Sequence, residues 1–290
     1  MGFSCLWSFI LSILTSGDKA LDLSTAVIMG ILNVTPDSFS DGGEFASIAS
    51  ACHQADTMVA QGATFIDIGG ESTRPGAKDV SEADELDRVI PLIEYVAKTH
   101  NVWISIDTSK PVVMRAAVAA GAHLINDVRA LQEPGALVAA AELGVPVCLM
   151  HMQGQPRTMQ QAPVYEDVVK DIAQFFEWRI EACLQAGVKR ANIVLDPGFG
   201  FGKSLAHNYE ILQRLAELST FELPILAGMS RKSMFGQLLN REVSQRLSAS
   251  LAANMLAVQA GASIVRVHDV QETADMMAVL SATKNYKDLG

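Results

Sequence analysis

Short apolar runs in this chain end repeatedly on side chains that can do chemistry. The endings are Asn33, Asp67 followed by Glu71, Asp107, Asn126 with Asp127, His151, Asp196, the triplet Ser230, Arg231, Lys232, and Arg266 with His268. Any one of them reads plainly as a capping or solvated group. Eight such endings together do not, because a strand covered on both faces has no structural use for polar groups at one end. In parallel α/β folds the loops after the strand C-termini hold the chemistry, so these residues are read as the lining of one site. Asp107, Asn126 and Asp196 offer acceptors and amide donors that match the mixed edge of a flat, nitrogen-rich heterocycle. Arg266 and His268, with Arg231 and Lys232, follow the last two runs, where barrels commonly bind phosphate; Arg meets phosphate oxygens with a fork, Lys with a point charge. The ring predicts an anionic, phosphorylated substrate.

The glycine-rich run 196–204 imitates a nucleotide loop. A Walker A loop needs Gly where Pro197 stands, and no Gly-x-Gly-x-x-Gly register fits. Its glycines are read instead as room for the backbone to approach a ligand, with Phe201 as a stacking face. Two further Gly/Pro-rich loops, 35–43 and 71–77, exceed the roughly 2 to 6 residues usual for barrel βα loops and are expected to bind or cover a ligand. His53, His100, His123 and His207 fall in no Cys/His cluster and no His-Glu-x-x-His spacing, so they are read as core or surface rather than as zinc ligands. The Met150, His151, Met152 triplet is read as barrel packing plus one polar contact. A hard cation is better served by Asn33 with substrate oxygens, since Mg²⁺ takes few protein ligands and several from phosphate and water.

The elements that must position these residues alternate along the chain. Apolar, β-rich runs at 26–33, 64–69, 102–107, 123–127, 145–150, 192–196, 224–229 and 263–268 predict eight strands. Stretches of helical period at 47–61, 81–99, 111–120, 165–186, 208–219, 244–260 and 271–283 lie between them, and Gly62, Gly121, Gly144, Gly187 and Gly261 stand where helices are capped. Eight βα units favour a (β/α)8 TIM barrel over an open doubly wound sheet. With 49% hydrophobic and 19% charged residues over 290 positions, the chain can build that core as one domain. No linker or composition break divides residues 25–290.

The formal net charge of −10 and the lack of a Lys/Arg cluster beyond Arg231-Lys232 argue against a nucleic-acid partner. Cys5, Cys52, Cys148 and Cys183 are widely spaced and form no Cys-x-x-Cys pair, which predicts buried thiols in a reducing, cytoplasmic setting. The apolar run 3–14 is too short to span a bilayer and has no Lys or Arg ahead of it, so neither membrane nor export is expected. Residues 1–24 are read as an N-terminal extension, disordered or reflecting a misplaced start.

In order, the runs MGILNVTPDSFSDGG at 29–43, DIGGESTRPG at 67–76, SIDT at 105–108, INDV at 125–128, LDPGFGFGK at 195–203, GMSRKS at 228–233 and RVHD at 266–269 resemble the dihydropteroate synthase family of bacterial folate synthesis. The resemblance spans roughly 27–283 and leaves the extension unexplained. It implies a TIM barrel, a homodimer, and an enzyme that joins 6-hydroxymethyl-7,8-dihydropterin diphosphate to 4-aminobenzoate with Mg²⁺, open to sulfonamides. Asn33 is then similar to the family's metal and diphosphate residue. Asp107, Asn126, Met150, Asp196 and Lys232 resemble its pterin pocket. Arg266 and His268, joined by Thr73, resemble its diphosphate grip. Phe39, Thr73, Arg74, Pro75, Phe201 and Ser233 resemble its aminobenzoate side. Asn33, Asp107, Asp196, Lys232, Arg266 and His268 are the catalytic candidates.

Three other readings compete. A corrinoid-type methyltransferase barrel shares a pterin pocket but needs no diphosphate grip. A Schiff-base aldolase would want Lys232 isolated in an apolar wall, not beside an anion site. A non-catalytic pterin-binding homologue would tolerate gaps in the loops or the cationic subsite, and this chain has neither gap.

Overall fold

The computed structural model describes residues 13–34, 43–72, 79–154 and 163–288, without the side chains of 43–47. It opens on an antiparallel hairpin, β1 (Ile13–Ser16) and β2 (Lys19–Asp22), turned at Gly17 with φ +55°. Eight parallel strands follow: β3 (Val27–Asn33), β4 (Phe65–Gly69), β5 (Trp103–Asp107), β6 (Leu124–Asp127), β7 (Val147–Met150), β8 (Ile193–Asp196), β9 (Leu226–Ala227) and β10 (Ile264–Val267). They pair in the order β8-β7-β6-β5-β4-β3-β10-β9. A parallel bridge between Leu195 and Ile225 joins the two outermost strands, so the sheet closes on itself. Each expected strand falls on an observed one. The run 224–229 shrinks to two paired residues because β9 pairs with Ile264 and Val265 on one side and meets β8 through the single bridge.

Helices α1 (Gly43–Ala60), α2 (Glu82–Thr99), α3 (Pro111–Ala119), α4 (Ala136–Leu143), α5 (Val168–Ala186), α6 (Leu205–Gln213), α7 (Ser233–Leu239), α8 (Leu247–Gln259) and α9 (Val270–Lys284) form the outer layer. The five glycines read as caps all take positive φ, from +66° at Gly144 to +118° at Gly121. The sequence marks the start of α7 at Ser233 but not α4, whose 8 residues hold about two turns and little periodicity. Sequence reading also began α6 late. That helix starts at Leu205 behind the N-cap Ser204, and His207 takes the capping-box place usually held by Glu or Gln.

Alternation along the strands decides what the barrel encloses. One face, including Ile66, Ile68, Ile104, Ile106, Val147, Leu149, Ile193 and Leu195, belongs to the core shared with the helices. The other face points into the barrel. Its floor takes one residue from each strand: Met29, Phe65, Trp103, Leu124, Cys148, Val194, Leu226 and Ile264. Two residues further along the same face stand Ile31, Asp67, Ser105, Asn126, Met150, Asp196, Gly228 and Arg266. The lumen therefore changes from apolar to polar within one pleat.

The hairpin corrects the reading of residues 1–24. Leu14 and Leu23, at 0% and 4% exposure, pack into the floor cluster and cover the N-terminal end of the barrel. Asn192 grips Thr15 by accepting from its N–H at 3.3 Å and donating to its carbonyl at 3.0 Å, and Lys19 Nζ donates to Val102 O at 2.8 Å. From residue 13 onward the supposed extension is part of the barrel. Residues 1–12 lie outside the described residues.

Candidate active site

The polar layer is a connected, buried network. Asn126 Nδ2 donates to Asp67 Oδ2 at 3.2 Å, Arg266 Nε to the same oxygen at 2.5 Å, and an Arg266 Nη to Asp107 Oδ2 at 2.8 Å. A Cβ on Gly69 would meet Asn33 Oδ1 and Asp107 Cβ at 3.4 Å each, so the side chains of Asn33 and Asp107 flank this glycine at the barrel mouth. Asp196 Oδ1 accepts from Gly198 N at 2.7 Å. Lys232 donates to Phe199 O, and its ammonium lies 4.6 Å from the centre of the Phe201 ring.

Burial sets the electrostatics. It pushes Asp107 up to about 7, with Arg266 opposing and Asp67 and Asp127 adding to the rise. Asp196 is raised by burial and partly restored by Lys232. Lys232 is lowered to about 8 by burial against the pull of Asp196. For Arg266 burial opposes the charge, but Asp67 and Asp107 outweigh it and hold the guanidinium firmly protonated. Such a ring presents carboxylate acceptors and cationic donors in a poorly hydrated wall, where both act strongly on a polar ligand.

Arg266 was expected to grip phosphate, and the structure places it between the acids of the heterocycle side. Two of its five N–H donors are used there, so the two halves of the ring share it. Arg231 corrects a reading more fully. Expected beside Lys232 in a phosphate site, it makes a forked pair with Asp269, Nε to Oδ2 at 3.0 Å and an Nη to Oδ1, from a left-handed backbone at φ +57°. Its charge ties the loop after β9 to the loop after β10. His268 meets Ser230 Oγ twice, through its backbone N–H at 3.2 Å and its Nδ1 at 3.1 Å. Ser233 is the first residue of α7. Phe39, Thr73, Arg74 and Pro75 lie outside the described residues, as do most of the two Gly/Pro-rich loops.

The glycine-rich run after β8 also differs from expectation. Its glycines make room for protein rather than ligand: a Cβ on Gly198 would fall 1.9 Å from His151 O, and one on Gly202 would fall 2.4 Å from Gln153 O. The loop wraps the buried Lys203, whose ammonium lies 3.0 Å from His151 Nδ1 and donates to His151 O at 3.2 Å and Phe201 O at 2.9 Å. Burial, then Lys203, pushes His151 down to about 2, so the ring is neutral and the strand-end histidine is spent on packing and its contact with Lys203. Sequence reasoning overlooked Lys203. It also left Asp67, the buried hub of the network, without a role, although its place two residues beyond Phe65 on the lumen face marked it.

Among the described residues no group of three or more His, Cys, Asp or Glu side chains could hold a metal ion. One amide oxygen at Asn33, beside Asp107, fits a hard cation that takes most of its ligands from phosphate and water.

The family model described as "Pterin binding enzyme" matches residues 29–268. Dihydropteroate synthase of Escherichia coli K12 is 58% identical over 269 residues, 93% of this chain and 95% of the relative. The structure of the Yersinia pestis dihydropteroate synthase in a sulfonamide drug complex is 57% identical with a TM-score of 0.90, covering 94% of this chain and 99% of that one. The Xanthomonas albilineans dihydropteroate synthase solved with 4-aminobenzoic acid is 48% identical with a TM-score of 0.90, covering 94% and 98%.

Proposed function

The chain belongs to the pterin-binding dihydropteroate synthase family, and from that premise we propose that its barrel mouth condenses 6-hydroxymethyl-7,8-dihydropterin diphosphate with 4-aminobenzoate. The products are diphosphate and 7,8-dihydropteroate, in the synthesis of tetrahydrofolate. The observation that carries this reading is the buried network in which Asp67 and Asp107 share Arg266 and Asn126 joins through Asp67, because it puts heterocycle-reading groups and a cation within one hydrogen-bonded unit. A methyl-transfer barrel or a non-catalytic homologue is not favoured, since relatives matched over nearly the whole chain are dihydropteroate synthases.

The residues suit a substitution in which bond breaking leads. The C–O bond between the pterin methylene and diphosphate breaks, the electron pair leaves with the diphosphate, and the electron-rich dihydropterin carries the positive charge. The neutral amine of 4-aminobenzoate then forms the C–N bond and loses its proton late. Such an SN1-like step needs charge stabilisation more than a strong base. Asp107 and Asp196 accept N–H bonds from the pterin and gain strength as ring charge grows, which is differential binding. Lys232, Met150 and Asn126 complete the pterin pocket, while Arg266, His268 and Thr73 face the leaving diphosphate. Asn33 would hold Mg²⁺ together with diphosphate oxygens, and the ion when bound supplies divalent charge to the leaving group. Phe39, Arg74, Pro75, Phe201 and Ser233, with Thr73, form the aminobenzoate side. The two Gly/Pro-rich loops keep out water, which would trap the cation as an alcohol.

A homodimer and a cytoplasmic location complete the proposal. The first is supported by the exposed Leu238, Leu239, Val243 and Leu256 on and around α7 and α8, and sedimentation at the mass of a single chain would remove it. The second is supported by the free thiols of Cys52, Cys148 and Cys183. Among the described residues no helix is long and apolar enough to cross a membrane. The test of function is direct. Purified protein with Mg²⁺ and both substrates makes 7,8-dihydropteroate, and a sulfonamide competes with 4-aminobenzoate; no product under these conditions refutes the reading.

A further inference from the structure

The turn after β6 is made of backbone that side chains resist. Ala130 and Leu131, consecutive and 0% and 2% exposed, take φ +51° and +59°, the left-handed region that favours glycine. Neither is a glycine, so the turn needs a hold from outside itself. Arg179 of α5, a buried arginine in the outer layer, supplies it. Its Nε donates to Ala130 O at 2.9 Å and an Nη donates to Leu131 O at 3.3 Å. One rigid fork thus grips two successive carbonyls.

The held turn reaches the polar ring through Asp127. On β6 the side chain of Asn126 faces the lumen and that of Asp127, its neighbour, faces outward, where it is wholly buried. Asp127 Oδ2 accepts from Leu131 N at 2.8 Å, its carbonyl from Ala130 N at 2.9 Å, and Oδ1 from Arg129 N at 2.8 Å. Oδ1 also accepts from Ser109 Oγ at 2.5 Å, and Ser109 stands two residues beyond Asp107. A backbone bond from Thr108 N to Asn126 O at 3.0 Å completes the seam between the two strand ends. Burial pushes the Asp127 carboxyl up, and the bonds from Ser109, Arg129 and Leu131 pull it back. We propose that Arg179 is a positioning residue for the pterin pocket: by holding the turn at Ala130 and Leu131 it fixes Asp127, and through Asp127 the spacing of Asp107 and Asn126 at the ends of β5 and β6. The inference rests on the reading above that Asp107 and Asn126 bind the pterin. Its own content is that their spacing is set from a helix of the outer layer.

The test is calorimetry of bare-pterin binding to the full chain carrying Arg179→Met, alone and together with Ala130→Gly. Arg179→Met keeps most of the apolar stem and removes the fork. It is expected to weaken pterin binding about tenfold, the worth of one hydrogen bond to a charged group that loses its alignment. Adding Ala130→Gly, which takes the left-handed conformation without help, is expected to restore most of the affinity. A role confined to packing gives no such rescue, because that change only removes a further buried methyl. The KM for 4-aminobenzoate stays where it was. If Arg179→Met fails to fold, Arg179→Lys decides in its place, with a partial loss that Ala130→Gly restores. Unchanged pterin affinity, a matching rise in the aminobenzoate KM, or no rescue by Ala130→Gly overturns the proposal. Hydrogen exchange in a peptide spanning 126–133 reads the clamp apart from any ligand, and loss of the fork is expected to speed it. If the wild-type protein binds no pterin, the proposed function falls and takes the pterin half of the inference with it; unchanged exchange in the Arg179 variant then overturns the clamp as well.

Discussion

Asp107 ionises near neutrality because its carboxylate is buried, Arg266 repays only part of that cost, and Asp67 and Asp127 add repulsion. The folded protein therefore holds a proton there that the unfolded chain has released, between about 4 and about 7. Through this group ligand-free stability falls as pH rises across that window. The proposed pterin role favours the opposite state, since the carboxylate offers two strong acceptor oxygens to ring N–H groups and the acid turns one of them into a donor. Bare-pterin affinity is expected to rise as pH passes through about 7 and to lose that dependence in Asp107→Asn; titration calorimetry at several pH values checks it, and a wild-type affinity flat from pH 6 to 8 counts against the role. Most of the ring was legible in the sequence as polar residues ending apolar runs. The pairings were not. Asp67 and Arg266 stand 199 positions apart and meet only because the closed sheet sets β3 between their strands. Arg231 likewise looked available until its fork met Asp269.

Elements were readable in proportion to their length and period. Each of the eight inner strands announced itself as an apolar run, whereas α4 is too short to show a helical stripe and α7 showed only its start at Ser233. The hairpin β1–β2 escaped for another reason: Leu14 has no periodic partner nearby, and its burial comes from a floor assembled out of eight distant strands. Leu14→Ala is expected to cost about 2–5 kcal/mol by opening a cavity in that floor. Denaturant melts check the loss. Turnover below the melting range should be unchanged, because the hairpin lies at the end of the barrel opposite the polar layer; a stable variant with impaired turnover would contradict the placement.

As a whole, the molecule is a barrel whose one lumen face is apolar at the floor and charged at the mouth, and closure of the sheet makes a ring of residues that the sequence scatters from 33 to 268. The proposed function divides that ring into Asp107, Asn126 and Asp196 for the heterocycle and Arg266 and His268 for the leaving anion, and the bonds of Arg266 to Asp67 and Asp107 join the two sets. Calorimetry of Arg266→Ala with the pterin diphosphate and with the bare pterin separates these duties. The diphosphate ligand is expected to lose about 10- to 100-fold in affinity, as the removal of charge-assisted hydrogen bonds implies, and the bare pterin far less. Equal losses for the two ligands would contradict the division of the ring.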